Sequence, residues 1–161
     1  MFTIRASYNG VFEVEAAIEK VREFLLDVRN FVELMPSIES IHTDGKGVTR
    51  WTIRAEIPFI GVMKQTFPVE LSEENEDHIE WSPVADEKQN FLRYAMELME
   101  KGANKTAVQI SQIVELRRQN ARDLHKLAGL AGENLISREM NKKVAEMIKS
   151  FVGKSRERLE K

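Results

Sequence analysis

Cysteine is absent from all 161 residues, which excludes disulfides, thiolate nucleophiles and cysteine-ligated metals. Glycine and proline are sparse, at 8 and 4 residues, and no repeat or low-complexity segment breaks the chain. No apolar run approaches the roughly 20 residues of a membrane-spanning helix, and the first residues carry no signal-peptide pattern. A cytoplasmic protein is the expectation, and the sequon Asn104-Lys105-Thr106 is then read as chance. The three histidines, His42, His78 and His125, share no ligand spacing, so no metal is expected. Phosphate loop, dinucleotide fingerprint and glycine-flanked nucleophile elbow are missing, so no cofactor is expected either. The acidic run Glu73-Glu74-Asn75-Glu76-Asp77 lacks calcium-loop spacing and reads as a solvated turn. Arg117, Arg118, Arg122 and Lys126 form a small basic patch without interleaved aromatics, which excludes a nucleic-acid partner.

What is present is the composition of a globular chain, 42% hydrophobic and 31% charged, sized for one domain over 1–161. The net charge of −2 hides an asymmetry. Residues 1–100 carry 10 basic and 19 acidic side chains, and residues 101–161 carry 14 and 7. Mutual attraction of the two halves is the plainer reading; an anionic partner or membrane surface is the other.

The apolar periodicity changes twice. Phe2, Ile4, Ala6, Tyr8, Phe12 and Val14 keep one even phase, which predicts a single long strand across Gly10, with a bulge or bend at that glycine. From Ala16 the period becomes helical through Ile18, Val21, Phe24, Leu25 and Val28, and a second short helix near Asn30–Leu34 stops at Pro36. Strand patterns then run to Arg118. Trp51, Ile53, Ala55 and Ile57 share one face, as do Met63, Gln65, Phe67, Val69 and Leu71. Ile79 and Trp81 mark a short strand; Leu92, Tyr94, Met96 and Leu98 a longer one; Val108, Ile110, Gln112, Val114 and Leu116 the longest. Asn120 and Asp123 have the spacing of a capped helix start. The stripe of Leu124, Leu127, Ala128 and Ala131 points away from the next one, so Gly129 and Gly132 mark a break. The last stripe (Ile136, Met140, Val144, Met147, Ile148, Phe151) predicts a helix from about Glu133 to Arg158, about 39 Å long. Such a helix must lay its stripe on something wide. An α+β helix-grip fold follows, with a curved antiparallel sheet of about seven strands around the C-terminal helix.

This order resembles the START-like, or SRPBCC, superfamily of polyketide cyclases and pollen-allergen-type proteins. Gly10-x-Phe12-x-Val14-x-Ala16, Val21-x-x-Phe24-Leu25-x-Asp27 and Phe31 through Leu34-Met35-Pro36-Ser37 are similar to its first strand and helices. Leu127-Ala128-x-Leu130-Ala131-Gly132 looks most like the carbon monoxide dehydrogenase G-like branch. The resemblance implies a cavity between sheet and helix that holds apolar or aromatic small molecules, and no fixed catalytic set.

Polar residues on apolar inward faces are the informative ones, because a buried amide or phenol needs a partner. These are Gln65, Tyr94 and Gln112. Trp51, Ile53, Phe67, Trp81, Ile110 and Val144, with Met63, Met96, Met140 and Met147, are the expected walls of an enclosed cavity. The apolar connection Pro58-Phe59-Ile60-Gly61 reads as a lid carried on Phe59 and Ile60, or as a local plug. Three functions fit: a binder or carrier of a hydrophobic small molecule; a cyclase or dehydrase using Tyr94 or Glu56 as acid or base; or an accessory protein touching a membrane or partner protein through the lid and basic helix. No inward carboxylate or histidine is evident, which favours the binder.

Overall fold

The alternation of the first fourteen residues builds β1 (Phe2–Val14), and the chain then forms two short helices, α1 (Ile18–Leu26) and α2 (Val28–Leu34), in a computed structural model that describes residues 1–161. Asp27 caps α2, accepting a 3.0 Å bond from the Arg29 N–H. Six strands follow: β2 (Ile38–Thr43), β3 (Thr49–Ile57), β4 (Gly61–Glu74), β5 (His78–Pro83), β6 (Asn90–Gly102) and β7 (Lys105–Arg118). All pair antiparallel in the order β1-β7-β6-β5-β4-β3-β2. Two single-turn helices, α3 (Ala121–Leu124) and α4 (Ala128–Ala131), lead to α5 (Glu133–Leu159). The break falls at Gly132, whose φ of 83° a side chain would resist.

The sheet is curved, and α5 buries Ile136, Val144, Met147, Ile148 and Phe151 against its inner face. Edge strands expose unpaired backbone groups that invite wrong partners. Here α5 covers the β1 edge with polar side chains one turn apart. Glu133, Ser137 and Asn141 accept from the backbone N–H groups of Thr3, Arg5 and Ser7, the last at 2.8 Å. The match is geometric: four helical residues rise about 6 Å, and two strand residues span about 6.8 Å. At the far end Arg156 Nε donates to the Glu13 carbonyl at 2.8 Å.

Two expectations need correction. The β1–β7 register runs through Gly10 without a shift, so no bulge forms there. Gly10 instead makes room for a side chain: the Tyr8 ring lies over it, and a Cβ would fall 2.6 Å from the phenol oxygen, so the ring would have to shift. Leu71, opposite Trp81 in the register, is exposed and not part of the core, because the end of β4 from Glu70 onward lies uncovered. The charge asymmetry is met within the chain, for example by Arg158 on Glu33 at 2.6 Å and Lys105 on Glu13 at 3.0 Å. Such surface pairs each contribute little. No helix is long and apolar enough to cross a membrane.

Candidate functional site

β5 stops at Pro83 after six residues while β4 and β6 run on, and this shortfall shapes the inner face. A network of side chains bridges the gap. Asn90 Nδ2 on β6 donates to Gln65 Oε1 and to the Thr66 carbonyl on β4, at 3.1 and 2.9 Å. Arg118, at the end of β7, donates to Gln65 Oε1 at 3.0 Å and to Asn90 Oδ1 at 2.8 Å, while its other nitrogen takes the Gln89 and Arg117 carbonyls. Burial holds the guanidinium below the usual arginine range, with Glu87 and Asp123 opposing from a distance. Neither Arg118 nor Asn90 is among the residues expected on sequence grounds. Arg118 does carry a signal, since it continues the inward phase of Gln112, Val114 and Leu116.

Beside this network a cavity of about 50 Å³ lies between the sheet and α5. β3 supplies Ile53, Ala55 and Ile57; β4 supplies Met63, Gln65 and Phe67; β7 supplies Gln112, Val114 and Leu116. α5 closes it with Met140, Lys143, Val144 and Met147. Eight of the expected wall residues thus meet at one void: Ile53, Met63, Gln65, Phe67, Gln112, Met140, Val144 and Met147. Lys143 is the single ionisable group on the wall, and it also borders an open polar groove with Glu39, Arg54, Glu56 and Lys64.

Five expected wall residues lie elsewhere. Trp51, Trp81, Tyr94, Met96 and Ile110 are buried in packed core and do not line the void. The reason is Phe31 of α2, which stacks on Phe151 of α5 with ring centroids 5.0 Å apart. Its ring sits 5.3 Å from Trp51, 5.8 Å from Trp81 and 5.5 Å from Tyr94, filling that end of the grip. Phe59 and Ile60 do not line the void either. Phe59 projects into solvent at 78% exposure with φ 71°, while Ile60 is anchored in the core. Their turn joins Ile57 to Met63, both on the wall, so it sits at the cavity's rim.

On the outer face His78 is held among carboxylates. Its Nδ1 lies 3.1 Å from Glu97 and its Nε2 3.1 Å from Glu80, with Glu73 at 3.5 Å. Arg93 holds the second Glu80 oxygen at 2.6 Å. Burial disfavours the imidazolium, but the three carboxylates outweigh it and raise the His78 pKa. Glu73, His78 and Glu80 place one donor atom each within 4.8 Å of one another, a convergence that the separated histidines of the sequence do not suggest.

Among solved structures, the chain is similar to the aromatase/cyclase Zhui of a Streptomyces species, with TM-score 0.64 and 14% identity over 96% of this chain and 95% of that one. A START superfamily protein from Mycobacterium smegmatis matches at TM-score 0.61 and 15% identity, over 96% and 97%. The fold is START-like. The di-domain aromatase/cyclase BexL matches at TM-score 0.65 and 12% identity, with 98% of this chain covering 51% of that one. No family profile and no curated protein matches the chain. At these identities the likeness carries the START-like fold and not a branch within it, so the likeness to the carbon monoxide dehydrogenase G-like branch stays a sequence resemblance.

Proposed function

We propose that this START-like chain binds a small hydrophobic or aromatic molecule in the cavity between the sheet and α5. One observation carries the reading: sheet and helix jointly bound a half-open void whose wall is hydrophobic at ten of thirteen positions. Two of the similar structures are named aromatase/cyclases, and an apolar cavity is in keeping with an aromatic guest. The wall has no carboxylate or imidazole to act as acid or base. Glu56 lies out in the polar groove and Tyr94 in the packed core, its phenol pushed up by burial. Binding is therefore favoured over turnover.

At about 50 Å³ the void is smaller than the roughly 150 Å³ that houses benzene in an engineered apolar cavity, so the guest must widen it. The seam to open is the one between α5 and β3. There the helix touches the sheet sparsely, whereas it lies closely along β1. Met63, Met140 and Met147 on the wall adapt easily to a new shape. Lys143 stands where the void meets the polar groove, which makes that groove the entrance. Phe59 on the rim turn serves as the lid, with Ile60 beside it anchored in the core.

An anilinonaphthalene dye should bind with micromolar affinity and gain fluorescence. Val144→Phe, which fills the void from the helix side, should abolish binding and leave the melt cooperative. Phe59→Gly should speed dye release without lowering Tm, because φ 71° suits glycine better than phenylalanine. A folded wild-type protein that takes up no dye would overturn the binding reading, and unchanged release from Phe59→Gly would overturn the lid.

A further inference from the structure

Natural cores leave few buried polar atoms without a partner. This one leaves four, Ser155 Oγ on α5 and three on neighbouring inner-face side chains of the sheet. Trp51 Nε1, Tyr94 Oη and Gln112 Oε1 are fully buried and have no hydrogen-bond partner, in side chains only 1%, 0% and 2% exposed. Their neighbourhood follows from the sheet. Tyr94 and Gln112 face each other across β6 and β7, and the Tyr94 ring lies 5.9 Å from Trp51. Gln112 is also on the cavity wall while Trp51 and Tyr94 do not line the void, so the cluster meets the void through Gln112. Gln65, the other amide on that wall, has its oxygen taken by Arg118 and Asn90.

Resting on the binding reading above, we infer that the guest carries a neutral hydroxyl group, an alcohol or phenol on an otherwise apolar body, seated among Gln112, Tyr94 and Trp51. The donor and acceptor inventory selects it. An indole N–H only donates, an amide oxygen only accepts, and a phenol does either. A hydroxyl accepts from Trp51 and Tyr94 through its lone pairs and donates its proton to Gln112. A carbonyl satisfies the two donors and leaves Gln112 Oε1 as it is. A carboxylate is drawn to Lys143, where the void meets the polar groove, and not to this cluster, which holds no cation; two Arg118 nitrogens are already taken by four oxygens. An ammonium, which only donates, leaves the Trp51 N–H without a partner. Without a guest the three polar atoms are buried with no hydrogen-bond partner, a cost that the hydroxyl removes on entry.

Naphthalene and 2-naphthol differ by one hydroxyl and test this by calorimetric titration. The wild-type protein should bind 2-naphthol at least tenfold more tightly. Gln112→Met and Tyr94→Phe keep side-chain bulk and remove one polar partner each. Either should bring the two affinities, compared within the same variant, to within about twofold of each other, and Tyr94→Phe serves should Gln112→Met not fold. Equal wild-type affinities would overturn the hydroxyl assignment alone. A preference surviving both variants would place the hydroxyl elsewhere and overturn it too. Failure of both ligands to bind would instead remove the binding reading on which it rests.

Discussion

Arg118 donates a 3.0 Å hydrogen bond to the amide oxygen of Gln65, 53 residues away, and no carboxylate pairs with its guanidinium. A buried cation is normally matched by an anion; here four neutral oxygens do that work. The pair closes the gap left by the short strand β5 and fixes one wall of the void.

Arg118→Leu should destabilise the protein by about 1–3 kcal/mol in urea denaturation, since it strands Asn90 Oδ1 and leaves Gln65 Oε1 with one donor, Asn90 Nδ2, in a half-buried gap. Arg118→Lys should recover little, because a lysine point charge cannot fork to opposed oxygens. A midpoint unchanged in Arg118→Leu would mean that the bridge adds nothing to folding.

The ladder between α5 and β1 predicts a local effect. Replacing Glu133, Ser137 and Asn141 together by alanine should cost about 1.5–3 kcal/mol, at roughly 0.5–1 for each exposed bond. Amide exchange at Thr3, Arg5 and Ser7 should quicken before that of β6. Unaltered protection at those three amides would show that water serves the β1 edge equally well.

His78 sets a pH dependence with a definite sign. Its folded pKa is raised above the unfolded value near 6.5, so the folded chain holds the proton more tightly. That stabilisation is complete below about pH 6.5 and is lost as pH rises through the folded value. Melting temperature should therefore decline on going from mildly acidic to mildly alkaline buffer, and His78→Gln should flatten the slope. The Glu80 and Glu115 carboxyls work on the acid side. Burial pushes each up, but His78, Arg93 and Ser82 around the first and Arg117 and Arg5 around the second outweigh it, and both end depressed. Their contribution is lost as pH falls through those lowered values. A Tm rising from pH 6 to 8 in the wild type would contradict the His78 assignment.

The local elements were legible because period is a property of the chain alone. Alternation placed Ile53, Met63, Phe67 and Gln112 on the inner face, and the stripe from Ile136 to Phe151 located α5 to within a residue or two. The clash between two helical stripes located the break at Gly132. Alternation says which side of a sheet a residue takes and nothing about what stands opposite it. Trp51 and Ile53 share a face two residues apart, yet Trp51 packs against Phe31 while Ile53 borders the void. That difference arises where α2 and the end of α5 close on one end of the grip and α5 parts from β3 at the other. Likewise Gln65 and Gln112 look alike in sequence; one is bonded because β5 ends early and Arg118 reaches across, and the other keeps an unpartnered oxygen. Packing between elements far apart in the chain decided these outcomes, since only close approach in space tells a filled core from a cavity.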